Sequence, residues 1–358
     1  MQKIGLPAWT WLSPFIGSLL LLGAKLGGPF DLALAIGLIA CVLAAVHHAE
    51  VVAHKIGEPY GTLVLAVAVT VIEVSLIVSL MLSSGPAGAG PARDTVFAAI
   101  MIILNGLVGL CLLLGAARHL EQRYGQAGVS AALATLAALA ILTMVLPNYT
   151  TSTPGPAYSS SQLGFVGLVS LVLYGTFVLV QTVRHRDYFL PSGVAAHDED
   201  VHAAPPSALA AWISLGLLVV ALVAVVLLAK SLAPTLEAVV AQAGAPKAVV
   251  GVVIAALVLA PESLAAVRAA RADRLQTSLN LALGSALASI GLTIPVVAVV
   301  SLVMGWPLSL GLDAKAMVLL VLTLLVTTLS LGTGRTTVLQ GVVHLVIFAV
   351  YLFTTVVP

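Results

Sequence analysis

Eleven stretches of about twenty mostly apolar residues run through this chain, and nothing else constrains its fold as strongly. They lie at 9–27, 31–53, 60–82, 95–117, 128–147, 162–182, 208–229, 247–267, 276–303, 315–331 and 336–356. An α-helix of that length crosses the hydrocarbon core of a bilayer, where every backbone polar group must find its bond inside the segment. Charged residues make up only 8% of the chain, against about 25% in a soluble domain, so the surface must mostly face lipid. The expected fold class is an all-α polytopic membrane protein with about 11 transmembrane helices. A formal net charge of +1 gives no electrostatic case for binding nucleic acid. Cys41 and Cys111 sit inside apolar runs without CxxC spacing and read as small packing residues. The first apolar stretch lacks the basic cluster and small-x-small site of a signal peptide.

The longest polar stretch, 184–207, contains Arg184, His185, Arg186, the run His197-Asp198-Glu199-Asp200 and Pro205-Pro206. It reads as a cytoplasmic linker between 31–183 and 208–358, with 1–30 as an extra N-terminal helix. Ten lysines and arginines fall on the side of the N-terminus and five on the other. That bias puts the N-terminus in the cytoplasm and the C-terminus outside.

The two halves repeat each other. Glu50, Gly57 and Pro59 recur as Glu237, Gly244 and Pro246, each before an apolar helix, and those helices contain Glu73 and Glu262. The following helices carry Asn105-Gly106 and Gly284-Ser285. Each unit holds five spans, and an odd number forces the copies to be inverted, a recurring plan of secondary transporters.

A charge near the centre of a bilayer costs about 2.5–3.5 kcal/mol, so two acids at matching depth point to function. Pro261 frees the carbonyl near Leu257 beside Glu262. Thr70, Asn105, Ser278, Asn280 and Ser285 are the nearest neutral oxygen donors in sequence. Calcium takes about 6–8 oxygens in flexible geometry, which two carboxylates, carbonyls and waters supply. Every lysine and arginine reads as lying at a span end or in a loop. A buried carboxylate without a fixed cation takes either a proton or a mobile cation, and that competition is the chemistry of an antiporter. Glu50, its repeat Glu237, and His48 mark a candidate access path. His344 reads as a packed neutral imidazole. A cation channel also lines its pore with carboxylates, and a histidine-box enzyme would need more histidine clusters than 47–54 provides. No enzyme activity and no resident cofactor are expected.

The stretches Gly57-Glu-Pro-Tyr-Gly61 through Ile77, Pro261-Glu262, Ser278 through Ser285, and Gly334-Arg335-Thr336 span most of the chain. On these residues the sequence resembles the bacterial ChaA-type calcium/proton antiporters of the cation/calcium exchanger superfamily. The resemblance implies a ten-helix core with an added N-terminal helix, in the bacterial inner membrane. It implies Glu73 and Glu262 as cation-binding acids, Ca2+ and H+ as substrates, and leaves Na+ or K+ exchange open. The chain departs from the wider superfamily in having Thr70-Val71 and Leu259-Ala260 where Gly-Asn precedes the acids. Its acidic run at 198–200 is also short.

The topology has a direct test. A C-terminal reporter active only outside the cytoplasm is expected to be active on this protein. A cytoplasm-only reporter that works at Pro358 would contradict the eleven-span arrangement.

Overall fold

The computed structural model describes residues 6–57, 60–84, 89–190 and 206–357. Glu58, Pro59 and the acidic run 198–200 lie outside the described residues. Apolar sequence becomes helix throughout: α1 (Ala8–Leu20), α2 (Pro29–Ile56), α3 (Tyr60–Ser84), α4 (Ala89–Met101), α5 (Val108–His119), α6 (Gln126–Ala140) and α7 (Ser160–Leu179), then α8 (Ala208–Gln242), α9 (Ala248–Arg271), α10 (Leu275–Met304), α11 (Ala314–Leu331) and α12 (Val338–Val356). A π-helical turn, Ile102–Leu107, joins α4 to α5 in one continuous rod. The described residues therefore hold eleven rods, one for each expected span, and nine are long and apolar enough to cross a membrane. Two-residue strands β1 (Gln122–Arg123) and β2 (Arg335–Thr336) pair antiparallel.

Local chemistry sets the helix ends. Ser159 and Gln162 form a capping box on α7, and Asp313 caps α11 by accepting from Ala316 N at 2.7 Å. Gly305 ends α10 with φ +65°, which a Cβ would disfavour.

One boundary differs from the sequence reading. The span expected at 208–229 continues as helix through Lys230 and Pro234 to Gln242, 35 residues or about 52 Å. Leucine, alanine and valine carry the helix past the proline, and Thr235 Oγ1 donates to Asp31 Oδ2 on α2 at 3.2 Å. Lys230 is therefore inside a helix rather than in a loop. It lies about 33 Å from the start of α8, roughly one hydrocarbon thickness.

The chain forms two compact units, Met1–Gly88 with His202–Val250, and Ala89–Val201 with Gly251–Pro358. Each draws helices from both sequence halves. In the first unit α2 packs on α1, α3 and α8. Gly17 of α1 permits the closest approach: a Cβ there would stand 3.1 Å from Leu228 Cδ1 and nearer still to Cys41 Sγ. In the second unit α10 is central, packed by α6 and α7. There α5 meets α12 almost backbone to backbone, since a Cβ at Gly341 would lie 2.9 Å from the Gly109 carbonyl.

Helix α1 is tied to α2 by a bond that follows from a proline. Pro14 has no N–H, so the Thr10 carbonyl loses its ordinary donor four residues on. His48 Nε2 stands 3.0 Å from that oxygen, in the Nε2–H tautomer a donor, with the imidazole fully buried. Leaving a buried carbonyl unsatisfied costs about 1–3 kcal/mol. His48→Ala is therefore expected to lower the thermal midpoint of the detergent-solubilised protein. The loss should shrink in a Pro14→Ala background, where residue 14 again donates to Thr10. An equal loss in both backgrounds would contradict this account.

Candidate functional site

Each repeated acid is held within a span. Glu73 sits near the middle of α3, with only 3% of its surface exposed and with buried Ile72, Leu76 and Ile77 around it. Thr70, also buried, precedes it by one turn on the same helix face. In the second unit Glu262 follows Pro261 on α9, where the missing N–H frees the Leu257 carbonyl. The Ser285 hydroxyl, on α10, donates to Glu262 Oε2. A short side chain reaching a carboxylate across a helix pair orients it and supplies a second oxygen at the same point. Ser278 lies on the same face of α10 two turns earlier, fully buried. Ser289 and Thr293 extend this polar stripe beyond Ser285, also buried.

The two asparagines are engaged elsewhere. Asn105, fully buried on the π turn, donates to Thr323 Oγ1 at 2.8 Å, and its Oδ1 lies 3.3 Å from His344 Nδ1. Thr323 also approaches Met101 Sδ at 3.5 Å. This knot ties the α4–α5 rod to α11 and α12. The π turn, with its extra residue, accommodates the amide that makes it. Asn280 donates to the Phe189 carbonyl at 2.6 Å and accepts from Gln276 Nε2 at 2.9 Å, which pins the segment after α7 against α10.

The residues of the expected access path do not come together. Asp31 and Thr235 bond across the start of α2 and the last turns of α8, so these helices run antiparallel. Glu237 is two residues from that contact. Glu50 is 19 residues further along α2, about 28 Å away. The two acids thus mark opposite ends of one helix pair, Glu50 exposed and Glu237 partly buried. His48 is spent on α1, as described above.

Sequence reasoning missed Thr323 as the partner of Asn105 and the continuation of the α10 stripe through Ser289 and Thr293. The available signal was hydroxyl residues recurring every three or four positions inside apolar helices: Thr323, Thr327 and Ser330 on α11, all buried, and Ser285, Ser289 and Thr293 on α10.

Comparison with known proteins shows the family and the fold. The family described as sodium/calcium exchanger protein matches residues 31–183 and 213–357. A putative ionic transporter, y4hA, of Sinorhizobium fredii (strain NBRC 101917 / NGR234) is 50% identical over all of this chain and 98% of its own length. The sodium-potassium/proton antiporter ChaA of Escherichia coli (strain K12) is 39% identical, covering 89% of this chain and 86% of its own. Among solved structures, the Ca2+/H+ antiporter protein YfkE superposes with a TM-score of 0.74 at 16% identity, over 98% of this chain and 100% of that one.

The geometry separates Ser285 from Asn280. Ser285→Ala removes a donor from the carboxylate, and a hydrogen bond to a charged group contributes about 1.5–3 kcal/mol. The expected result is a roughly tenfold or greater loss of apparent cation affinity at neutral pH with normal protein levels. Asn280→Ala, which frees the Phe189 carbonyl and the Gln276 amide but leaves the carboxylate untouched, should change that affinity less. Equal effects, or none from Ser285→Ala, would contradict the assignment.

Proposed function

Since this chain belongs to the sodium/calcium exchanger protein family, we propose that it exchanges cytoplasmic Ca2+ for external H+ across the bacterial inner membrane. The N-terminus is cytoplasmic and the C-terminus outside. Glu73 and Glu262 are the acids that take either protons or the cation. The observation that carries this reading is the repeated acid itself. Each sits inside a span with a hydroxyl residue at hand, Thr70 for Glu73 and Ser285 for Glu262.

The mechanism follows from solvation. A carboxylate in an apolar span is costly as an anion and is relieved by a proton or a cation. Two carboxylates together balance a divalent ion, and the Leu257 carbonyl, the hydroxyls and waters complete the oxygen shell that calcium takes. Protons arriving from outside displace the ion, and an ion arriving from the cytoplasm displaces protons. Exchange is coupled because an empty, doubly ionised site is the state the membrane penalises most. The inverted plan of the repeats supports alternating access, and Glu50 and Glu237, at opposite ends of the α2–α8 pair, suit one entry on each side. The protein acts as a carrier, with no covalent chemistry and no resident cofactor.

A second reading, Na+ or K+ exchange for H+, is favoured by the name of the 39% identical relative. Everted membrane vesicles with an imposed pH gradient separate the two. Calcium pulses are expected to dissipate the gradient, and apparent calcium affinity should fall as pH drops, since protons compete for the same oxygens. Glu73→Gln and Glu262→Gln should each abolish the response at normal protein levels, because a neutral amide costs less to bury than a carboxylate. Retained exchange in either variant would overturn the paired-acid mechanism. A response to Na+ or K+ but not Ca2+ would establish the second reading, and calcium flux without proton movement would indicate a channel.

A further inference from the structure

Antiport makes no use of the arginines at one end of the second unit. That unit carries nine arginines and one lysine, and eight of the arginines lie where α5, α7 and α9 end and α10 begins, and on β1 and β2. The acids among the described residues there are Glu121, Asp187 and Asp273, so eight positive charges minus three negative leave those described residues an excess of five.

This end is a built surface rather than a set of loose loops. His119 Nε2 lies 3.1 Å from the Arg271 carbonyl, and Gln122 Nε2 donates to the Ala270 carbonyl at 2.9 Å and to Asp273 Oδ1 at 2.8 Å. These bonds bring the ends of α5 and α9 and the start of α10 together, and with them Arg118, Arg268, Arg271 and Arg274. All four side chains are exposed. Among the described residues the ion pairs at this end are those of Arg123 and Arg335 with Glu121, both at 3.6 Å.

The α9 helix shows what these arginines face. Val253 and Leu264, 45% and 55% exposed, lie on the helix face that continues to Arg268 and Arg271. An apolar exposed face on a membrane helix meets acyl chains, and the charges at its end stand at headgroup level. The positive-inside bias alone would be met equally by lysine, which counts the same for topology. Arginine differs in its planar fork, which binds a phosphate through two parallel hydrogen bonds.

We propose that this end of the second unit is a binding site for anionic phospholipid headgroups, centred on Arg118, Arg268, Arg271 and Arg274. The lipid phosphate is gripped by guanidinium forks while its chains lie along the apolar face of α9.

The test uses thermal unfolding of the purified full chain in a zwitterionic detergent, titrated with dioleoyl-phosphatidylglycerol, dioleoyl-phosphatidylcholine or inorganic phosphate. Phosphatidylglycerol is expected to raise the midpoint of the wild type, and the other two are not. The variant R118K/R268K/R271K/R274K keeps every charge and therefore the topology. It should need about tenfold more phosphatidylglycerol for the same shift, as bidentate contacts become single ones. If that variant does not accumulate, R268K/R271K serves with the same direction of effect. A lysine variant that responds to phosphatidylglycerol like the wild type would reduce the cluster to a topology signal and overturn the proposal. So would a wild type stabilised equally by phosphatidylcholine or by inorganic phosphate.

Discussion

The bilayer's poor solvation of charge is the constraint on which this protein depends. It fixes the helices, because backbone groups in hydrocarbon must be bonded within their own segment. It also makes an acid inside a span meaningful, because a carboxylate there persists only with something to neutralise it. The charges of this chain are sorted accordingly. Among the described residues, lysines and arginines stand at span ends, in loops or, for Lys230, about one hydrocarbon thickness along α8. Glu73 and Glu262 lie well inside theirs. In the proposed function the two acids are the source of coupling, since the ion and the proton answer the same electrostatic need.

Prolines set much of the polar detail inside the helices. Each interior proline removes one N–H and frees one carbonyl. In α1 the freed Thr10 oxygen is bonded by His48, which ties the added N-terminal helix to α2. In α9 the freed oxygen is that of Leu257, five residues before Glu262 in the chain. The same covalent defect thus serves docking in α1 and leaves a carbonyl without its helix donor in α9.

The sequence made the spans legible because length and apolar content are local properties, and all eleven appear as helical rods among the described residues. The end of α8 was not legible, since Lys230 and Pro234 look like loop residues and only packing against α2 shows otherwise. The site was legible in part. Glu262 and Ser285, 23 residues apart on consecutive helices, do meet. Asn105 and Asn280 were credible ligands by residue type, but their bonds go to Thr323, 218 residues away, and to Phe189, 91 residues away. Partner choice across such separations is decided by helix packing, which periodicity does not encode. Glu50 and Glu237 were recognised as a pair, yet the antiparallel run of α2 and α8 was needed to put them at opposite ends.

The central claim is that proton and cation occupy the same carboxylates, and proton release on ion binding measures that without any transport step. Purified protein in weakly buffered detergent solution, with a pH indicator present, receives calcium in the absence of any gradient. The account expects protons to be released as calcium binds, with release saturating alongside binding and lost in the Glu73→Gln/Glu262→Gln double variant. Calcium binding without proton release in the wild type, or undiminished release in the double variant, would contradict it.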